Sequence, residues 1–202
     1  MKNLSAVFKY SVCFALVLNS ALAADLTANL PVRLSEVKAG DRPLELQGTP
    51  VQLMQQAPDF KVADQAFKAV KLRDFSGKTV LLSVVPSIDT GVCSIQTKKF
   101  NEQVVSLPKD VVLLTISTDL PFAQKRFCQK EQVDKLQVLS DAVWGDFGSN
   151  YGLRIKDMGI LTRAVLIIDA KGTLVYQQLV PLLSQEPDYQ AALNKLKEIT
   201  KT

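Results

Sequence analysis

The sequence predicts an α/β fold in which helices flank a central mixed sheet. Two nearly continuous apolar runs, 79–85 and Val111–Ser117, are typical of parallel strands that are buried on both faces. A helix-like segment follows each run, and a third apolar run, Ala164–Ile168, leads through a turn into another strand. Ligand sites in such sheets lie beyond the carboxyl ends of the parallel strands, so the residues that follow 79–85 are the first candidates.

The first 23 residues have the pattern of a secretory signal peptide. Lys2 and Lys9 supply a positive start, 11–18 is apolar, and the small-x-small pattern that signal peptidase reads ends at Ala23. The apolar run is well short of the ~20 residues that a membrane-spanning helix needs. We therefore expect cleavage after Ala23, with the loss of Cys13. The mature protein would be extracytoplasmic, as in the periplasm of a Gram-negative bacterium, with no membrane association.

After the signal, the sequence predicts a short extension and one domain. Residues 24–43 are polar and are interpreted as an N-terminal extension, and 44–202 as the domain. The domain would open with a small β-hairpin over 44–53, turning at Gly48-Thr49-Pro50.

The later elements follow from apolar spacing and from turn residues. Phe100, Val104 and Leu107 form an apolar stripe on the first helix, and Pro121 suits the first turn of the second. Thr118-Asp119 can cap that second helix. The predicted elements are a strand at 67–72, helices at 94–107 and Pro121–Glu131, a weak strand at 137–139, a short helix at 144–151, a hairpin of Ala164–Ile168 with 173–180, and a helix at 187–199.

The composition excludes several classes of functional site. The net charge of +4 is too small to indicate nucleic-acid binding. The chain has no histidine, which excludes Ser-His-Asp and Cys-His catalysis and any metal site that depends on imidazole. Two cysteines remain after signal removal, Cys93 and Cys128. They are too far apart in sequence for the C-x-x-C dithiol of a thioredoxin-type exchanger. On cysteine count and export alone, a structural disulfide is the simpler interpretation.

The residues around Cys93 favour reactivity instead. Cys93 follows a strand and opens a helix, where the helix dipole favours an anion such as the reactive thiolate. A distant partner thiol would condense with a sulfenic acid on Cys93. If the two sulfurs start apart, the backbone must move first, since a disulfide needs Cα atoms within roughly 7 Å.

Three further groups would assist such a sulfur. Thr90, three residues before Cys93, can turn its hydroxyl towards the sulfur, and Pro86 can shield it from water. A cation is also expected nearby. Spacing leaves four candidates open for it: Lys98, Lys99, Arg126 and Arg163.

The segment Pro86-Ser87-Ile88-Asp89-Thr90-Gly91-Val92-Cys93 resembles the peroxidatic motif Pro-x-x-x-Thr/Ser-x-x-Cys of the peroxiredoxins. More narrowly, it is similar to the thiol peroxidase subfamily of atypical two-cysteine peroxiredoxins. The segment Ser117-Thr118-Asp119-Leu120-Pro121-Phe122-Ala123-Gln124, followed by Arg126-Phe127-Cys128, resembles the resolving-cysteine segment of that subfamily. Shorter matches at 57–60, at 163–165 and at 186–189 extend the resemblance over about residues 45–200.

The resemblance implies a thioredoxin-like fold, with Cys93 peroxidatic and Cys128 resolving within one chain. Thr90 would bind the thiolate and the peroxide, Arg163 would be the activating cation, and Pro86 would shield the pocket. The resemblance also implies a homodimer that reduces hydrogen peroxide and organic hydroperoxides and is recycled by a thioredoxin-like reductant, without metal or flavin.

Two alternatives stay open at this point. One is an extracytoplasmic thiol-disulfide oxidoreductase, which the missing C-x-x-C disfavours. The other is a non-catalytic domain with a structural disulfide, which the spacing of Thr90 and Cys93 disfavours. The export signal departs from a mostly cytosolic family and leaves the identity of the reductant open.

Overall fold

Two β-sheets and four α-helices make up residues 30–200, the part of the chain that the computed structural model describes. The predicted signal peptide and its cleavage site lie outside these residues. The strands are β1 Val32–Ala39, β2 Arg42–Gln47, β3 Lys61–Ala63, β4 Ala69–Lys71, β5 Thr79–Val84, β6 Val111–Ser117, β7 Gln137–Ser140, β8 Arg154–Ile155, β9 Ala164–Ile168 and β10 Leu174–Leu179. The helices are α1 Gly91–Gln103, α2 Pro121–Glu131, α3 Asp146–Tyr151 and α4 Tyr189–Thr200, with short 3-10 helices at Leu72–Phe75 and Val104–Ser106. Within the described residues no helix is both long enough and apolar enough to cross a membrane.

The main sheet has seven strands in the order β10-β9-β5-β6-β7-β3-β4. β5 pairs with β6, and β6 with β7, in parallel, whereas β9 runs antiparallel to β5. Val84, the last residue of β5, pairs with Ile116 of β6 and with Ala164, the first residue of β9. The segments that leave β5, β6 and β7 therefore lie at the same end of the strands as the segment that enters β9.

Each face of this sheet is covered by its own apolar cluster. On one face Phe147 and Tyr151 of α3 pack against residues such as Leu82 and Leu114. On the other face the cluster contains Phe100 of α1, Leu196 of α4 and both cysteines. Alternate residues of β5 and β6 point to opposite faces, so their continuous apolar runs fill both clusters. The predicted α/β fold, a mixed sheet flanked by helices, is confirmed.

The N-terminal hairpin is present, but its predicted position is wrong. β1 and β2 form it, with the turn at Gly40-Asp41 rather than at Gly48-Thr49-Pro50. Gly48 instead has a φ of +111° and lies directly against backbone carbonyls of α3, where a side chain would collide. The strand β1 therefore lies inside the segment predicted as an extension. The division of the chain into domains stays a prediction.

The predicted bounds of Val111–Ser117, Pro121–Glu131 and Ala164–Ile168 agree with the structure. The first helix begins earlier than predicted, at Gly91, and ends at Gln103, where the chain continues as the 3-10 helix Val104–Ser106. Gly91 and Val92 lie in the first turn of this helix, and Thr90 is its N-cap residue with an extended backbone.

Candidate active site

Cys93 is the third residue of α1 and is fully buried. The chain reaches it from the carboxyl end of β5 through the loop 85–90. The Ser94 amide donates to the Thr90 carbonyl, and the Thr97 hydroxyl donates to the Cys93 carbonyl, which fixes the first turn. The sulfur therefore lies at the positive end of a helix and away from bulk water.

Arg163 supplies the cation at this sulfur. It directly precedes β9, its side chain is 1% exposed, and its Nη2 donates to the Cys93 Sγ over 3.2 Å. Nη2 and Nε also donate to the Leu183 carbonyl, over 2.8 and 3.2 Å, and Nη1 donates to Gln96 Oε1 over 2.7 Å. These bonds fix the plane of the guanidinium against Cys93.

The other three predicted cations have different partners or positions. Lys98 pairs with Glu131 and Lys99 with Glu186, while Arg126 lies exposed on α2. No salt bridge between described residues involves Arg163. A buried cation requires negative charge nearby: the Glu186 carboxylate interacts electrostatically with Arg163, and the Cys93 sulfur is the acceptor in direct contact with the guanidinium.

Gln96, which is not among the predicted site residues, connects Arg163 to the sheet. It is fully buried one turn after Cys93, and its Nε2 donates to Ser83 Oγ in β5 over 2.8 Å while its Oε1 accepts from Arg163. A polar residue three positions after a candidate nucleophile lies on the same face of a helix, and this spacing is the sequence signal that could have identified it.

Pro86 and Thr90 lie on the loop that leads to Cys93. Pro86 is buried, and its shielding of the sulfur stays a prediction. Thr90 is exposed, and its hydroxyl donates to the Ser87 carbonyl over 3.2 Å. The structure thus places this hydroxyl on the backbone of its own loop, and its role towards the sulfur stays a prediction.

Asp119 ties this loop to the segment before α2. Its carboxylate accepts the Ser87 hydroxyl over 2.7 Å and the Ile88 amide over 2.8 Å. The sequence predicts Asp119 as part of a helix cap, but the N-cap position of α2 is Leu120. That prediction is wrong because the carboxylate binds the loop before α1. This loop is distant in the sequence, so no local pattern reveals the contact.

Cys128 lies in the second half of α2 and is 9% exposed. Both cysteines are free. The Cys128 Sγ accepts a hydrogen bond from Gln65 Nε2 over 3.2 Å and borders an open cavity of about 1040 Å³. Burial raises the pKa of the Cys128 thiol, and the Gln65 amide opposes this only in part. Cys128 is thus a neutral thiol at neutral pH.

A second cleft, of about 540 Å³, separates the Cys93 loop from α2. The loop contributes Ser87 and Thr90, and α2 contributes Arg126 and Phe127. This cleft offers a route by which a small polar molecule can approach the start of α1.

Comparison with known proteins agrees with this geometry. The Redoxin family model matches residues 52–193. The chain belongs to the redoxin family. It is 44% identical to a thiol peroxidase of Listeria innocua over 165 residues, which are 82% of this chain and 99% of that relative. A thiol peroxidase of Oceanobacillus iheyensis is 41% identical over 165 residues, 82% of this chain and 100% of that relative.

Among solved structures, this redoxin is similar to a peroxiredoxin-like protein from Aquifex aeolicus. The TM-score is 0.77 with 36% sequence identity, over 83% of this chain and 99% of that one. The resemblance to peroxiredoxins of thioredoxin-like fold that the two cysteine motifs carry is therefore confirmed.

Proposed function

We propose that this redoxin is a thiol peroxidase that reduces hydroperoxides with Cys93. One observation carries the proposal: the guanidinium of Arg163 is buried, forms no salt bridge within the described residues and donates to the Cys93 sulfur. Such a cation favours a thiolate, the form of cysteine that attacks peroxides. Its family membership and the relatives named thiol peroxidase support the same activity.

In the first step the Cys93 thiolate attacks one oxygen of the peroxide. The S–O bond forms as the O–O bond breaks, and the leaving oxygen takes a proton to become water or an alcohol. Cys93 is left as a sulfenic acid. Arg163 stabilises the negative charge as it passes from sulfur to oxygen, and Pro86 keeps water from the sulfur. We propose that the Thr90 hydroxyl turns from the Ser87 carbonyl to the bound peroxide.

In the second step Cys128 attacks the sulfenic acid. The S–S bond forms, and the sulfenic oxygen leaves as water with the proton of the Cys128 thiol. Because Cys93 is held by Arg163 and Cys128 by Gln65, this step requires local opening of α1, of α2 or of both. A thioredoxin-like dithiol then reduces the disulfide and restores both thiols. No metal or flavin takes part in either step.

Export and dimer formation complete the proposal. The two relatives are matched almost over their full length by 165 of this chain's 202 residues, which leaves part of this chain without a counterpart in them. That supports an added segment, and we propose a signal peptide over residues 1–23 and an extracytoplasmic, periplasmic location. The resemblance to thiol peroxidases supports a homodimer.

The test is a single turnover. The reduced full chain is mixed with one equivalent of cumene hydroperoxide, while peroxide loss and thiol state are followed. We expect rapid consumption and a Cys93–Cys128 disulfide. Cys93→Ser should consume no peroxide, and Cys128→Ser should consume one equivalent and retain a sulfenic acid that dimedone traps. Slow consumption by the unmodified chain would exclude the peroxidase, and a disulfide that forms without peroxide loss would indicate a structural bridge.

A further inference from the structure

The turn between β3 and β4, residues 64–68, is held by its own hydrogen bonds. The carboxylate of Asp64 accepts the amides of Ala66 and Lys68, each over 2.8 Å, and the Asp64 carbonyl accepts the Phe67 amide over 3.0 Å. Phe67 adopts a left-handed φ of +63°, which is unfavourable for a side chain of this size. The turn thus presents Gln65 and Phe67 in defined positions.

Both side chains contact α2. Gln65 donates to the sulfur of Cys128 over 3.2 Å. The ring of Phe67 lies against that of Phe122, with centroids 4.9 Å apart, although the two residues are 43% and 61% exposed. Phe122 is the second residue of α2 and Cys128 the eighth, so the two contacts act on both halves of the helix.

The residues that bind the two sulfurs lie in different parts of the main sheet. Gln65 follows β3, whereas Arg163, which holds the Cys93 sulfur, precedes β9. β9 and β3 are four positions apart in the main sheet, roughly 19 Å at the ~4.8 Å spacing of neighbouring strands. The two sulfurs are therefore bound by residues that adjoin well-separated strands, and we expect that Cys128 has to leave Gln65 to reach Cys93.

We propose that Gln65 is a positioning residue that sets the rate of the resolving step. This inference rests on the peroxidase function proposed above. Gln65 holds Cys128 in the closed conformation of α2, with support from the contact between Phe67 and Phe122. Opening of α2 is a fast equilibrium that precedes the attack, so the rate of disulfide formation follows the fraction of open molecules.

The same contact sets the lifetime of the Cys93 sulfenic acid. A longer-lived sulfenic acid is more exposed to a second peroxide molecule, which adds one oxygen and converts it to sulfinic acid while that peroxide is reduced to water or an alcohol. Gln65 therefore also controls how much peroxide the protein tolerates before it is inactivated.

The test compares Gln65→Leu with unmodified protein, both as the reduced full chain. Leucine has a similar volume but cannot donate a hydrogen bond. Rapid-quench mixing with hydrogen peroxide, followed by thiol labelling and mass spectrometry, measures Cys93 oxidation and disulfide formation separately. The net contribution of one hydrogen bond corresponds to roughly a fivefold change in an equilibrium constant. We expect disulfide formation about fivefold faster in Gln65→Leu, less sulfinic acid per turnover, and an unchanged rate of Cys93 oxidation.

Two further variants separate this role from general destabilisation. Phe67→Gly removes the ring and suits the φ of +63°, and it should also accelerate disulfide formation, by roughly threefold. Lys68→Ala, on the exposed side of the same turn, should change neither step. Amide hydrogen exchange should show more frequent opening of α2 in the first two variants and not in the third.

The inference is overturned if Gln65→Leu forms the disulfide at the unmodified rate or more slowly. A slower rate would show that the amide assists the attack of Cys128 instead of restraining it. These outcomes differ from a failure of the proposed function, in which the unmodified protein itself would neither consume peroxide nor form the disulfide.

Discussion

The two helices that carry the cysteines, α1 and α2, are anchored to the main sheet by the same kind of hydrogen bond. They differ in the partner of one glutamine oxygen. Each has a fully buried glutamine bonded to a serine of the preceding strand: Gln96 to Ser83 over 2.8 Å, and Gln124 to Ser117 over 3.0 Å. The Oε1 of Gln96 accepts from Arg163. The Oε1 of Gln124 has no hydrogen-bond partner within residues 30–200.

This difference indicates which of the two helices opens when the disulfide forms. On α1 the glutamine is part of a charged assembly that ends at the Cys93 sulfur. On α2 it makes neutral bonds only, to Ser117 and to the Leu139 carbonyl, and leaves a buried acceptor unpaired, which weakens the closed state. We therefore expect the Cys93 side to keep its geometry for peroxide attack and α2 to open for disulfide formation.

The largest effect should come from removing the charge on the Cys93 side. Arg163→Met should slow Cys93 oxidation by roughly 100-fold or more, because the sulfur loses its cationic hydrogen-bond donor. Stopped-flow measurement of single-turnover peroxide consumption tests this. Arg126→Met, which removes an exposed arginine at the neighbouring cleft, is the matched control and should stay within about threefold of the unmodified rate. Equal losses in both variants would contradict the assignment of Arg163.

The next effect concerns the pH dependence of the Cys128 side. Burial raises the pKa of Cys128, so its reactive thiolate is scarce at neutral pH. The rate of disulfide formation should rise roughly tenfold per pH unit between about pH 6 and pH 8. Rapid-quench labelling measures this, with Cys93 oxidation in the same samples as the reference. A flat profile would show that the attack by Cys128 does not limit the step.

The raised pKa of Cys128 also makes the stability of the folded protein depend on pH. Since the folded protein holds the Cys128 proton more tightly than the unfolded chain, its contribution to stability is complete below the ordinary thiol pKa. The contribution is lost as the pH rises from that ordinary value to the raised one. Alkaline conditions should therefore favour opening of α2.

The smallest effect comes from a matched pair of glutamine variants. Gln96→Leu should slow Cys93 oxidation by roughly tenfold, because Arg163 loses a partner that orients it, and should leave disulfide formation nearly unchanged. Gln124→Leu should show the opposite pattern, with Cys93 oxidation unchanged and disulfide formation a fewfold faster. It should also lower the free energy of unfolding by about 1 kcal/mol. Urea denaturation and the single-turnover measurements test both, and similar profiles for the two variants would remove the distinction between the helices.

Local pattern was sufficient for much of the fold. Val111–Ser117 and Pro121–Glu131 have the bounds that their apolar run and their proline predict. The predicted position of the N-terminal hairpin is wrong because Gly48 allows a close approach to α3, which is far away in sequence, and does not form a turn. The predicted cap at Asp119 is wrong for a similar reason, since the partners of its carboxylate come from the loop before α1.

The sequence by itself determined the nature of the chemistry: a chain without histidine, with Cys93 after a buried strand and at the start of a helix, and with Cys128 on the next helix. It left four cations open and did not indicate Gln65, Gln96 or the carbonyl of Leu183. Only the tertiary structure identified Arg163 as the cation at Cys93. Because β9 runs antiparallel to β5, the residue before β9 lies next to the carboxyl end of β5. The pairing of distant strands, which periodicity along the chain does not encode, decided which groups meet the two sulfurs.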